Sequence, residues 1–106
     1  MGLSVEVRTG QVGEVVIVVG GELQQSTVAA FRQAVTEALA AHPASLVIDL
    51  TQITFMDSSG LSSLVGARHA GDRVDCRVSL SGVSPTLRRT LHTTGLTEYL
   101  NANETP

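Results

Sequence analysis

Three adjacent side chains, Asp57, Ser58 and Ser59, combine a carboxylate with two hydroxyls after an apolar stretch and before Gly60. Such side chains accept hydrogen bonds from the unpaired amides of a first helical turn, so one of the three is expected to cap a helix. A serine held there lies near free amides and the positive end of the helix dipole, which favour negative charge. The sequence is therefore compatible with a phosphate site, although by residue type alone a serine that only caps its helix is favoured.

A hydroxyl at a strand-to-helix turn is also the arrangement of a serine hydrolase's nucleophile elbow. That elbow needs glycine two residues before the serine, whereas Met56 precedes Ser58 by two and Asp57 precedes Ser59 by two. The candidate bases are His42, His69 and His92. Each is expected near a helix end or on a helix surface, and no spacing suggests a triad. We predict no catalytic residue and no enzymatic activity.

Metal and nucleotide sites have equally little support. No two histidines stand three or four residues apart, and Cys76 is the only cysteine, so neither a metal site nor an intramolecular disulfide is predicted. Gly20 and Gly21 lack the spaced Gly-Lys of a phosphate-binding loop. We therefore predict no cofactor.

The elements around the Asp-Ser-Ser turn form a β-α-β unit. A buried strand over 45–50 leads into the turn, a helix is predicted over 59–70, and a strand over 74–80 follows. Because such crossovers are right-handed and make their strands parallel, the turn lies at the carboxyl end of a strand, where α/β sheets usually bind ligands. Gly71 suits the C-terminal cap of the helix. Gly66, inside the helix, predicts a close approach of another backbone.

The remaining elements complete one small α/β domain. Alternating apolar residues predict a strand over 3–8, and a β-branched run predicts a central strand over 15–19 that Gly20 and Gly21 close. Helices are predicted over 26–41, capped by Ser26 or Thr27, and over 85–93, opened by Ser84-Pro85. We predict a mixed sheet with an N-terminal antiparallel hairpin and helices packed mainly on one face.

Length, charge and hydropathy limit the number of domains, the kind of partner and the cellular location. With 106 residues the chain has room for one domain, predicted over 3–100 with a short tail over 101–106. Its seven basic residues are all arginine and its net charge is −3, which argues against nucleic acid as the partner. No apolar run approaches the roughly 20 residues that span a bilayer, and no signal peptide opens the chain. We expect a cytoplasmic protein without membrane contact.

The central motif Phe-Met-Asp-Ser-Ser-Gly-Leu, residues 55–61, closely resembles that of the anti-sigma factor antagonists of the STAS domain family. Val-Ile-Asp-Leu at 47–50 and Val-Gly-Ala-Arg at 65–68 flank it as in that family. Gly-Gly-Glu-Leu at 20–23 is similar to the family's strand-ending signature, and His-Thr-Thr-Gly-Leu at 92–96 resembles its later Gly-Leu turn.

Two features depart from the family pattern. Gln24 stands where the signature commonly continues with Asp, which puts a contact from that carboxylate in doubt. The resemblance also implies a closing strand near 97–100 and then a further helix, yet only 101–106 remain, so that final helix looks absent or cut away.

The resemblance implies a binding protein that phosphorylation switches. Ser58 matches the serine that the partner anti-sigma factor, an ATP-dependent serine kinase, phosphorylates in the family. The unphosphorylated form is implied to bind the anti-sigma factor and release a sigma factor, and a separate phosphatase to remove the phosphate. The alternative is an interaction module of another partner-switching complex without serine phosphorylation. The sequence leaves the oligomeric state open.

The predicted partner surface combines two stretches that follow the ends of neighbouring strands and are therefore expected to lie side by side. Its residues are Gly21, Glu22, Leu23, Gln24, Gln25, Ser26, Asp57, Ser58, Ser59, Gly60, Ser62 and Ser63. The last two are expected on the exposed side of the helix, and Arg68 marks how far the surface could extend along it.

Overall fold

A four-stranded mixed sheet in the order β1-β2-β3-β4 is the frame of the protein. The computed structural model describes residues 2–102, so the last four residues of the predicted tail lie outside the described part. The elements are β1 (Leu3–Thr9), β2 (Glu14–Leu23), α1 (Val28–Ala40), β3 (Ser45–Met56), α2 (Ser58–Arg73), β4 (Arg77–Ser81) and α3 (Pro85–Thr93). β1 pairs antiparallel with β2, whereas β2, β3 and β4 are parallel. The predicted fold class is confirmed.

One aliphatic core joins the sheet to the helices. Alternate β3 residues Leu46, Ile48 and Leu50 are buried, while Val47 and Asp49 between them are only half-buried. The core also contains Ile17 and Val19 of β2, Val78 and Leu80 of β4, and Phe31, Val35, Leu64 and Leu91 of the helices. Burial of these side chains at roughly 25 cal/mol per Å² of apolar surface is the main force that holds the helices on the sheet.

Both central strands are longer than predicted. β2 does not end at Gly20 and Gly21 but continues to Leu23, and β3 continues through residue 56. The two extensions pair with each other, Glu22 opposite Phe55 and Leu23 opposite Met56, across two register irregularities. The extended β3 therefore ends immediately before the Asp-Ser-Ser turn.

The far end of α2 corrects three predictions. The helix runs to Arg73, so Gly71 is a buried helix residue rather than the cap. The chain reverses at Asp75, which has a φ of 57°, and β4 begins at Arg77 rather than at 74. The expected close approach at Gly66 is absent, because a β-carbon added there would meet nothing within 4 Å.

The C-terminal segment forms turns where the resemblance implied a strand over 97–100. The amide of Leu100 donates to the carbonyl of Leu96 at 3.0 Å, and that of Ala102 to Thr97 at 2.9 Å. Asn101 Nδ2 donates to the carbonyl of Val78 in β4 at 2.8 Å. Local turns satisfy these amides and a side chain contacts the outer strand, so a fifth strand does not form here. Within residues 2–102, no helix is long and apolar enough to cross a lipid bilayer.

Candidate functional site

Ser58 is the first residue of the 16-residue helix α2 and is exposed to solvent. The cap is the preceding residue: Asp57 is extended, and its Oδ1 accepts a hydrogen bond from the amide of Gly60 at 2.9 Å. The carbonyl of Asp57 accepts from the amide of Leu61 at 3.0 Å. The prediction that one of the three residues caps the helix is confirmed, and the alternative that Ser58 or Ser59 is the cap is wrong.

The second carboxylate oxygen of Asp57 connects the turn to another part of the chain. Its Oδ2 accepts from the amide of Gln25 at 3.2 Å. The hydrogen bond from the amide of Gly60, foremost, and that from Gln25 hold the pKa of Asp57 below its usual range. Asp57 is therefore ionised at neutral pH, and one side chain holds both the helix start and the facing loop.

That facing loop, residues 22–27, comprises the last two residues of β2 and the connection to α1, and it is organised by Thr27. Its hydroxyl donates to the carbonyl of Glu22 at 2.7 Å and accepts from the amide of Gln24 at 3.0 Å. Thr27 lies at the start of α1 but makes no side-chain cap there, because its hydroxyl is engaged in the loop. Gln24 Nε2 donates to Glu22 Oε1 at 3.2 Å. An aspartate at position 24 would instead bring a second carboxylate beside Glu22.

Leu23 is the point where the loop and the turn meet. Its carbonyl accepts from the amide of Asp57 at 3.4 Å. A β-carbon added to Gly60 would collide with this same carbonyl and come within 2.7 Å of Met56 Cγ. Only glycine allows the first turn of α2 to pack so closely on the end of β2. The structure thus brings the two stretches side by side.

Three of the residues predicted for the partner surface are buried. Leu23 is fully buried, and so is Gly60 in the contact with it. Ser63 is only 2% exposed, and its hydroxyl donates to the carbonyl of Gly60 at 2.6 Å. The prediction of an exposed Ser63 is wrong, because this side of α2 faces the core. These three residues support the surface from beneath.

The other predicted residues retain exposed area. Gln25, Ser26, Ser58 and Ser62 are exposed, and Gly21, Glu22, Gln24, Asp57 and Ser59 are half-buried. Arg68 lies ten residues after Ser58, about 15 Å along the helix axis. Its Nε bonds to Asp72 Oδ1 at 3.0 Å, and its guanidinium lies 4.6 Å from the centre of the Tyr99 ring. Arg68 thus belongs to a separate cluster at the other end of α2.

Sequence reasoning missed an apolar cleft beside Ser58. The cleft has a volume of about 660 Å³ and lies between the end of β3, the start of α2 and α3. Ile53, Leu61 and Leu87 contribute apolar surface to it. Phe55 also lines it and is 50% exposed, which is unusual for a large apolar side chain. Phe55, the aromatic first residue of the motif, was the available signal.

Two of the three candidate bases, His42 and His69, lie away from this turn. His69 follows Ser58 by eleven residues on the same straight element, a rise of about 16 Å, which exceeds hydrogen-bond reach. His42 precedes β3, whereas Ser58 follows the carboxyl end of that 12-residue strand. Among residues 2–102, no group of three or more His, Cys, Asp or Glu side chains could hold a metal ion.

Comparison with known proteins gives a consistent result. The family model of the STAS domain matches residues 4–105. An anti-sigma-B factor antagonist of Listeria monocytogenes is 30% identical over 100 residues, which are 94% of this chain and 88% of that protein. The crystal structure of an anti-sigma factor antagonist from Mycobacterium paratuberculosis superimposes with a TM-score of 0.78 at 31% identity, over 93% of this chain and 83% of that one.

A further solved structure is similar at the level of the whole fold. The Bacillus cell fate determinant SpoIIAA in its phosphorylated form superimposes with a TM-score of 0.73 at 26% identity. The match covers 91% of this chain and 87% of SpoIIAA. The overall fold described above is therefore shared with both of these solved structures.

Proposed function

This chain belongs to the STAS domain family, and from that premise we propose that it is an anti-sigma factor antagonist that phosphorylation of Ser58 switches off. In this proposal the unphosphorylated protein binds an anti-sigma factor in the cytoplasm, and the anti-sigma factor then releases a sigma factor. The anti-sigma factor is also the serine kinase, and a separate phosphatase removes the phosphate. The protein itself is a binding partner and a substrate, not a catalyst.

One observation carries the proposal: Ser58 is an exposed hydroxyl on a turn that hydrogen bonds of the neighbouring Asp57 hold in place. Asp57 caps α2 through Gly60 and bonds to Gln25, so the hydroxyl is free of any structural role in the cap. A kinase needs such an accessible hydroxyl. Ser59 is half-buried, so it is the poorer acceptor.

The electrostatics of the turn account for a switch that leaves the fold intact. Phosphorylation adds a charge of about −1.5 to −2 at pH 7. The helix N-terminus stabilises that charge within the protein, because the dipole and the first amides favour anions. An approaching acidic surface meets the phosphate together with the ionised Asp57 and is repelled. Binding therefore changes while folding does not.

The partner surface that follows from the structure is smaller than the predicted set. We assign direct contacts to the exposed atoms of the loop 22–26 and of the turn 57–59, together with Ser62. The apolar wall of the adjacent cleft, with Phe55 at its rim, extends this surface without additional charge. Arg68 lies outside it because Asp72 and Tyr99 hold its side chain.

The test is phosphorylation in vitro by candidate anti-sigma kinases with ATP, followed by mass spectrometric mapping of the modified residue. The wild type and Ser59→Ala should each gain one phosphate on Ser58, and Ser58→Ala should gain none. Phosphate on Ser59, or on Ser58→Ala, would refute the assignment. Tight kinase binding without any phosphate transfer would favour the alternative of an interaction module without serine phosphorylation.

A further inference from the structure

The outer edge of β1 has no strand beside it in the described residues 2–102. The register of β1 on β2 shows which of its backbone groups are free. Gly10 donates to Glu14 and Glu22 donates to Gly2, which makes the even-numbered residues of β1 the hydrogen-bonded partners of β2. The amides and carbonyls of Leu3, Val5, Val7 and Thr9 consequently point away from the sheet, available to another strand.

The side chains of this edge form a charge pattern that is complementary to itself. Glu6 and Arg8 lie on the same face of β1 and form an ion pair, with Arg8 Nε 3.0 Å from Glu6 Oε2. Both side chains are well exposed, at 61% and 58%. Val7, between them, points to the other face and is 56% exposed because the helices do not cover it. A strand that runs antiparallel along this edge would therefore face Glu6, Val7 and Arg8 in turn.

We propose that β1 pairs antiparallel with β1 of a second copy of this chain, in the register that sets Val7 opposite Val7. In this register the outward amides and carbonyls of Val5, Val7 and Thr9 bond between the copies. Glu6 of each copy lies directly opposite Arg8 of the other. These are the non-hydrogen-bonded positions of the new ladder, where facing side chains come closest.

The charges also make the neighbouring registers less stable than this one. A ladder centred on Glu6 sets two carboxylates opposite each other, and one centred on Arg8 sets two guanidiniums opposite each other, both of which are destabilising. A ladder centred on Val5 pairs Glu6 with Ser4 and gains no ion pair. The pairing centred on Val7 is a two-fold symmetric contact that closes, and the two four-stranded sheets become one continuous sheet of eight strands.

The test is sedimentation velocity over a range of concentrations at low salt, with charge-reversal variants. Wild type should form dimers, whereas Glu6→Arg alone and Arg8→Glu alone should each be monomeric, because every facing pair then carries like charges. An equal mixture of these two variants should form heterodimers at least about tenfold tighter than either homodimer, since both pairs are again opposite in sign. Far-UV circular dichroism checks that each variant is folded.

A matched mixture controls for general attraction between oppositely charged variants. Arg32→Glu and Glu37→Arg make the same charge changes on the exposed side of α1, and their mixture should show no gain over wild type. Monomeric wild type at every concentration would overturn the proposal. So would a dimer indifferent to Glu6→Arg and Arg8→Glu, or a mixture of these two that stays monomeric.

Discussion

Each end of α2 has a glycine that packs closely against a neighbouring backbone carbonyl, but the two ends differ in what surrounds that glycine. At the first end Gly60 lies against the carbonyl of Leu23, and at the second Gly71 lies so close to β4 that an added β-carbon would come within 2.9 Å of the carbonyl of Cys76. Only the first end adds a capping carboxylate and an exposed hydroxyl. Close helix packing therefore occurs at both ends of α2, and the candidate site lies at the end where this packing coincides with the helix N-terminus.

The largest effect is expected from Gly60→Ala at the first end. The new methyl group collides with a backbone carbonyl that cannot move without displacing β2, so the free energy of unfolding should fall by about 3 kcal/mol. Urea denaturation measures this loss. Binding to the anti-sigma factor should weaken as well, because the loop 22–27 and the turn separate. If Gly60→Ala is as stable as wild type, the first turn of α2 is not in close contact with the carbonyl of Leu23.

Gly71→Ala should have the second-largest effect and should separate stability from binding. The methyl group meets the side chain of Val78 as well as the carbonyl of Cys76, and a loss of about 2 kcal/mol in unfolding free energy is expected. Affinity for the anti-sigma factor, measured below the unfolding temperature, should match that of wild type. A matching loss of affinity would contradict the division of roles between the two ends of α2.

Asp57→Asn tests the charge that joins the turn to the loop. The folded pKa of Asp57 is lowered, so its stabilising contribution is complete above its ordinary pKa and disappears as pH falls through the lowered value. Wild type should be more stable than Asp57→Asn at pH 7. Their melting temperatures should converge in acid, below about pH 4. A constant difference across this range would mean that the ionised carboxylate does not stabilise the fold.

Gly66→Ala should be the only stabilising change of the glycine series. An added β-carbon meets nothing within 4 Å, and alanine is favoured over glycine inside a helix by up to about 1 kcal/mol. The melting temperature should therefore rise, with partner affinity unchanged. A fall in stability would reveal a contact at this face of α2 that the structure lacks.

These glycines also show what the sequence could and could not predict. Local chemistry predicted the start of α3 at Ser84-Pro85 and a cap within the Asp-Ser-Ser turn, but it left open which of the three residues is the cap of α2. The side-chain cap predicted at Ser26 or Thr27 does not form. Local chemistry does not reveal which glycine faces another element. The close approach was therefore predicted for Gly66 but occurs at Gly60 and Gly71, because it depends on how α2 packs on the sheet.

The sequence also did not predict the full extent of the site, because that extent depends on how distant elements pack together. The continuation of β3 to residue 56 depends on pairing with β2. The polar residues within 51–56 do not predict that pairing. Ser63 was expected on the surface because serine is usually exposed, but its helical phase turns it toward the core. The Asp57–Gln25 hydrogen bond spans 32 residues and could not be predicted from either stretch alone.

The most direct test of the switch compares Ser58→Ala and Ser58→Asp, which should perturb the fold least and binding most differently. Since Asp57 is the cap, Ser58→Ala should change the unfolding free energy by less than about 0.5 kcal/mol. Ser58→Asp should be neutral or gain about 0.3–1 kcal/mol from the helix dipole.

The decisive measurement is the affinity of both variants for the anti-sigma factor by isothermal titration calorimetry, on samples whose thermal stability has been determined. The alanine variant should bind as unphosphorylated wild type does, and the aspartate variant at least about tenfold more weakly, because the interface meets a second carboxylate beside Asp57. Equal affinity of the two variants, with both fully folded, would contradict the assignment of Ser58 as the switch.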